Sequence, residues 1–315
     1  MTIAQLLVIN WQKKFFPRKW LRSLYRSHIL NAPISYSLPF ECYFYGMRYR
    51  GDISNVIDFH CFFYGAFEKG HLLFWKDVAQ LFYHNKGVFI DIGANSGHHT
   101  LFMSARSAAV HSFEPYEPVR NKIFEKIEIN NLKNIFVHDV GVGNTNELIP
   151  FFAPEGSNLG IGSFVAGQKN RNDIGIPLRV VAGDEYFNRY ISDEIHMIKI
   201  DVEAYEKQVI KGLHGTIQQF RPVMVFELEI GLDCSFKSFE EIQTVFPKNY
   251  MFFTFDIWDK HGNKNKRKDG IFRKKGTYKL KFFNFDMTKE QTDVIAFPGE
   301  RFDKFRINFP DKIAA

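Results

Sequence analysis

Seven residues, Asp91-Ile92-Gly93-Ala94-Asn95-Ser96-Gly97, constrain this chain more than any other stretch. They follow the short apolar run Val88–Asp91, which reads as a strand. They open Gly97–Arg106, which reads as a helix. A strand-to-helix turn with two glycines lets the backbone pass close to a ligand, and Gly93 can take a positive φ that other residues resist. The helix start adds free N–H groups. The same rhythm then repeats. Ala109–Phe113 predicts a strand, Glu117–Asn130 a helix and Ile135–His138 a strand. After an interruption come strand His196–Ile200, helix Ala204–Leu213 and strand Pro222–Leu228. Strands alternating with helices predict the α/β class, with a parallel sheet and right-handed crossovers.

The flanks are less regular. Residues 36–75 are rich in Tyr, Phe and Gly and alternate over Glu41–Arg48. They predict β-structure or an irregular cap leading into a helix near His71–Tyr83. The glycine-rich stretch Gly141–Gly175 predicts a long mobile loop around a short hairpin, a candidate lid. Beyond Gly231 the pattern predicts a helix near Phe239–Val245 and strands near Met251–Phe255 and Thr292–Phe297. The basic run Lys264, Lys266, Arg267 and Lys268 between them predicts a solvated turn.

Composition narrows the class. Hydrophobic residues make up 45% of the 315, enough for a sizeable core. The net charge of +6 is compatible with anionic partners and too small to imply nucleic acid. Cys42, Cys61 and Cys234 are odd in number and far apart. That argues against a disulfide framework or structural zinc and for a reducing, cytoplasmic setting. The apolar run Leu6–Ile9 is too short to span a bilayer and lacks signal-peptide features. Phe16, Trp20 and Leu24 give the basic N-terminus one apolar face. The reading favours a helix docked on the protein's own core over peripheral contact with an anionic membrane.

The chemistry clusters at strand ends. Asp91 closes the first strand, and Glu114, in Phe113-Glu114-Pro115, closes the second. An acid there is placed to accept from both ribose hydroxyls of a nucleoside cofactor. A dinucleotide would also need glycine at the places held by Asn95 and His98, to admit its pyrophosphate. Side chains at those places favour a phosphate-free sulfonium cofactor, S-adenosylmethionine. The fourth strand ends in Lys199-Ile200-Asp201-Val202-Glu203-Ala204-Tyr205-Glu206. Three carboxylates this close are costly for structure alone. They could orient the cofactor, deprotonate an acceptor or bind Mg²⁺; alternatively, Glu203 and Glu206 simply favour a helix N-terminus. Glu227 and Glu229 close the fifth strand on one side.

These pieces resemble the FkbM family of methyltransferases. The resemblance spans about Val88–Glu229. It rests on Asp91–Gly97, Phe113-Glu114-Pro115, the Asn130–Asn134 turn, Lys199–Glu206, and Arg221-Pro222 leading to Glu227. It implies a Rossmann-like class I methyltransferase fold with a mostly parallel seven-stranded sheet, helices on both faces and an N-terminal helical and β extension. Residues 1–84 would be extension and cap, and 85–315 the methyltransferase domain. It further implies methyl transfer from S-adenosylmethionine to an oxygen of a sugar, glycan or natural product. Asp91, Gly93, Asn95, Gly97 and Glu114 would hold the cofactor, joined by Ala94, Thr100, Asp139 and Asp201. Asp201 and Glu203 would line the reacting centre and supply the base, with His98 or His99 in reserve. No metal ligands are assigned. The chain departs from the family pattern at Ala204, where glycine is usual, and at His98-His99, where one aromatic is usual. The acceptor expected is a small molecule or glycan. Against nucleic acid stand the missing Asn/Asp-Pro-Pro-aromatic motif and the lack of a proline followed by cysteine. A non-catalytic scaffold is the third alternative, because a fold alone does not prove activity.

Overall fold

The computed structural model describes residues 37, 39–152, 175–229, 231–232, 234–258, 264–285 and 291–314. The expected N-terminal helix around Trp20 and most of the glycine-rich stretch lie outside the described residues.

Strands β1 (Pro39–Phe44) and β2 (Met47–Asp52) form an antiparallel hairpin. Helix α1 (Val56–Tyr64) follows, its N-terminus capped by Asn55, whose side chain accepts from the amides of Ile57 and Asp58. Helix α2 (Lys69–Tyr83) leads into β3 (Val88–Ile92). Then come α3 (His98–Ser104), β4 (Ala109–Phe113), α4 (Glu117–Asn130) and β5 (Ile135–His138). Strands β6 (Gly141–Gly143), β7 (Glu147–Phe151) and β8 (Ile176–Ala182) make a separate three-stranded sheet, in which β7 pairs antiparallel with β8.

The chain continues through α5 (Gly183–Tyr190), β9 (Met197–Ile200), α6 (Glu206–Gly212), α7 (His214–Phe220) and β10 (Val223–Glu229). It closes with α8 (Phe239–Val245), β11 (Tyr250–Phe255), α9 (Lys266–Lys275), β12 (Leu280–Phe282), β13 (Gln291–Pro298) and α10 (Gly299–Asn308).

The main sheet has the order β12-β11-β13-β10-β9-β3-β4-β5. Strands β5, β4, β3, β9 and β10 are parallel; β13 runs against β10, and β11 against β13. The sheet has eight strands rather than seven, because Leu280–Phe282 adds an antiparallel edge to β11. Both faces are covered, which is why β3, β4 and β9 are buried along their whole length. Alternation sorts their side chains. Phe89, Val110 and Phe297 join one core with Phe44, Trp75 and Phe102. Ile90, Ile198 and Ala296 join the other with Phe187, Val209 and Ile217.

The basic run after Lys264 is helix α9, not a solvated turn. Asn265 caps it by accepting from Arg267 and Lys268, and Gly276 ends it at φ 77°. Buried Phe272 anchors it where α2 has no side chain: a Cβ on Gly70 would lie 1.9 Å from the Phe272 ring. Charge dominates the local sequence, so this single buried ring was hidden by it. Among the described residues, no helix is long and apolar enough to cross a membrane.

Candidate active site

A cavity of about 370 Å³ opens along the carboxyl edge of the parallel strands, where open α/β sheets bind ligands. Because β13 is reversed, its beginning reaches that same edge: Gln291 pairs with Glu229 and Asp293 with Glu227.

The turn after β3 forms one wall. Gly93 has φ 74°, and a Cβ on it would meet the Asp201 carbonyl oxygen at 1.8 Å, so only glycine fits. The amides of Gly93 and Ala94 both donate to the Phe113 carbonyl, which ties this turn to the end of β4. Glu114 sits beside it, accepting from the Asn95 amide at 3.0 Å and the Tyr116 amide at 2.9 Å. Each carboxylate oxygen keeps lone-pair capacity for a ligand hydroxyl. Burial lifts the Glu114 pKa to about 7 against these two hydrogen bonds.

Lys199 stitches the wall together. Its ammonium lies 3.1 Å from Asp201 and 3.6 Å from Asp91, and donates to the Gly93 carbonyl at 3.2 Å. Burial alone would lower its pKa, but the carboxylates of Asp201, Asp91 and Glu68 outweigh that and raise it. Asp91 is wholly buried and also accepts from Thr100 Oγ1 at 2.6 Å. Past Asp201 the chain turns through two left-handed residues, Glu203 at φ 53° and Ala204 at φ 76°. Glu206 folds back so that its side chain accepts from the Val202 amide at 3.1 Å; burial pushes its pKa up to about 8. Glu227 is held at about 10, by burial first and then by the charges of Asp201 and Asp293.

Of the residues expected at the site, Gly93, Asn95, Glu114, Asp201 and Glu203 line the cavity, as does Glu227. Asp91, Thr100, Ala94 and His98 are buried and do not line it; Gly97 packs on Ile123, and Asp139 is exposed beyond β5. The structure adds Glu68, His71, Trp258, Arg273 and Asp293 to the wall. The His71 Nε2 lies 3.2 Å from Asp293, and burial of that imidazole is outweighed by Asp293 and Glu68, raising its pKa. Lys199 is not among the residues expected at the site, although a lysine inside the apolar strand Met197–Ile200 is a signal: buried lysines need partners.

A family model, the methyltransferase FkbM domain, matches residues 91–252, just over half of the chain. The chain belongs to this family. The match begins at Asp91 and runs through the Gly93 turn, Glu114 and Asp201, the residues that build the cavity's main wall. No curated protein matches the chain. Among solved structures it is similar to the FkbM methyltransferase from Methylobacillus flagellatus KT, at 14% identity and TM-score 0.40. That likeness covers 70% of this chain but only 48% of the other, so the chain spans about half of its length. An rRNA methylase from Streptococcus thermophilus shows 9% identity and TM-score 0.40 over 72% of this chain and 94% of its own. M. jannaschii TYW2 in complex with AdoMet shows 12% and 0.38 over 83% and 85%. None reaches a TM-score of 0.5, and none bears on the acceptor.

Proposed function

We propose that this FkbM-family protein transfers a methyl group from S-adenosylmethionine to a hydroxyl oxygen of a sugar, glycan or natural product. The observation that carries the reading is the placement of Glu114 against the Asn95 amide, across the Gly93 turn from Asp201, on one cavity. The residues suit this cofactor. Glu114 is placed for the ribose hydroxyls, Val119, Val142 and Phe151 offer apolar contact to a base, and Asp201 and Glu203 face a cationic sulfonium centre.

The bound cofactor supplies a methyl group already activated for in-line displacement. The protein's share is therefore alignment and proton removal. Asp201 and Glu203, on the same wall as Glu114, are assigned the base role. Glu227, held protonated at neutral pH, is placed to donate a hydrogen bond to an acceptor oxygen. Trp258 suits stacking on a sugar ring. Lys264 and Arg273 suit an anionic substituent.

Calorimetric titration with S-adenosylmethionine tests the first half. The wild type should bind, and Glu114→Ala should weaken binding about 10- to 100-fold, the cost of hydrogen bonds to a charged group. Failure of the wild type to bind would end the reading. A screen of sugar, nucleotide-sugar and nucleic-acid acceptors tests the second half; methylation of nucleic acid alone would redirect it.

A further inference from the structure

The pair His98-His99 is not absorbed by the methyl-transfer reading. Successive helical residues ordinarily diverge, yet these two rings lie with centroids 4.2 Å apart at the start of α3. Glu68, the residue before α2, meets them: its Oε2 is 3.0 Å from His99 Nε2. One donor atom from each of Glu68, His98 and His99 falls within 4.8 Å of the others.

A hydrogen bond between Glu68 and His99 explains one of these nitrogens and leaves His98 unexplained. His98 is 4% exposed, and neither of its ring nitrogens has a hydrogen-bond partner. An unsatisfied buried polar group costs about 1–3 kcal/mol. A cation among the three side chains would take up one His98 nitrogen and neutralise Glu68. In a tetrahedral site with metal–ligand bonds of about 2.1 Å, the ligand atoms stand about 3.4 Å apart. The His99–Glu68 spacing is already inside that, and no spacing among the three exceeds 4.8 Å.

We propose that Glu68, His98 and His99 bind one divalent transition-metal ion of the zinc type. Two imidazoles and one carboxylate suit Zn²⁺ and its first-row neighbours, whereas Mg²⁺ prefers oxygen ligands and water. Three protein ligands leave at least one coordination position open, as in catalytic rather than structural zinc sites. Glu68 lines the same cavity as Gly93 and Asp201, so the ion stands at the cavity wall. The inference does not rest on the cofactor reading, because the site is complete without it.

The test uses the full chain, stripped with chelator and titrated calorimetrically with Zn²⁺ in the absence of S-adenosylmethionine. Co²⁺ substitution provides a visible absorption signature of imidazole-containing, low-coordinate sites. One equivalent should bind. His98→Ala and Glu68→Gln should each weaken binding at least about tenfold, a loss that even outer-shell changes produce. Glu68 has a partly exposed side chain, so Glu68→Gln decides the matter should His98→Ala fail to fold. His138→Gln removes a second close imidazole pair, in which His111 and His138 are 3.1 Å apart, and should leave binding intact. No uptake by the wild type, uptake unchanged in Glu68→Gln, or uptake lost in His138→Gln would each overturn the proposal.

Discussion

The two sides of the cavity are assembled differently. On the side proposed for the cofactor, Gly93, Asn95, Glu114, Asp201 and Glu203 come from three short runs, each at the carboxyl end of a neighbouring parallel strand. Their geometry is nearly local: a glycine turn, backbone amides onto one carboxylate, one buried lysine. On the other side, Glu68 and His71 stand at the start of α2, Glu227 on β10, Trp258 past β11, Arg273 on α9 and Asp293 on β13. Residues some two hundred positions apart converge there, and only the reversal of β13 brings Asp293 to the edge. Local assembly gives a side recognisable from its motif. Long-range assembly gives a side that only the fold brings together.

The sharpest way to break this contrast is Lys199→Met, which leaves buried Asp91 and the adjacent Asp201 without their counter-charge. It should cost about 3–5 kcal/mol in denaturant unfolding and abolish cofactor binding. A loss below about 1 kcal/mol would mean that the cofactor side is not held by this cation.

The next effect is in pH dependence. Glu206 titrates at about 8 in the folded state against an ordinary value of 4.5. Between those values the folded chain keeps a proton that the unfolded chain has released, so stability falls as pH rises through that window. The slope approaches about 1.4 kcal/mol per pH unit for one group. Glu206→Gln should flatten that part of the profile in thermal unfolding measured from pH 5 to 8. An unchanged slope would show that Glu206 does not contribute to it beside Glu114 and Glu227.

A smaller gain is expected from Ala204→Gly. Ala204 sits at φ 76°, where a Cβ is disfavoured. The substitution should stabilise the chain by about 1 kcal/mol. A loss of stability would mean that the Ala204 methyl packs well enough to offset the strain. The smallest effect on cofactor binding should come from Glu227→Gln on the far side of the cavity. With its pKa near 10, Glu227 is already protonated at pH 7, and glutamine copies its shape. S-adenosylmethionine affinity should be nearly unaltered and turnover reduced, while stability at pH 7 should rise, because glutamine needs no proton uptake on folding. Damage matching Lys199→Met would erase the distinction between the two sides.

Much of this was legible beforehand, for reasons that particular elements make clear. The bounds of β4, α4 and β5 coincide with the periodic runs, because each run must bury both faces or one stripe wherever the sheet lies. The turn at Gly93 was legible because a positive φ and a close approach to Asp201 select one residue type. Helix α9 was not, since its only buried anchor depends on the gap left by Gly70 in α2. The same holds for the eighth strand, which exists because β11 has a free edge for Leu280–Phe282 to join.

The amino-acid sequence by itself determined the strand and helix rhythm, the Gly93 turn and the acids beside it, and so the family, since each depends on neighbours a few residues away. Only the tertiary structure decided that Lys199 would link Asp91 to Asp201, that Asp293 would face Glu227, and that Glu68 would meet His98 and His99. Those contacts join segments whose separation in the chain carries no record of their distance in space; strand order and direction set it.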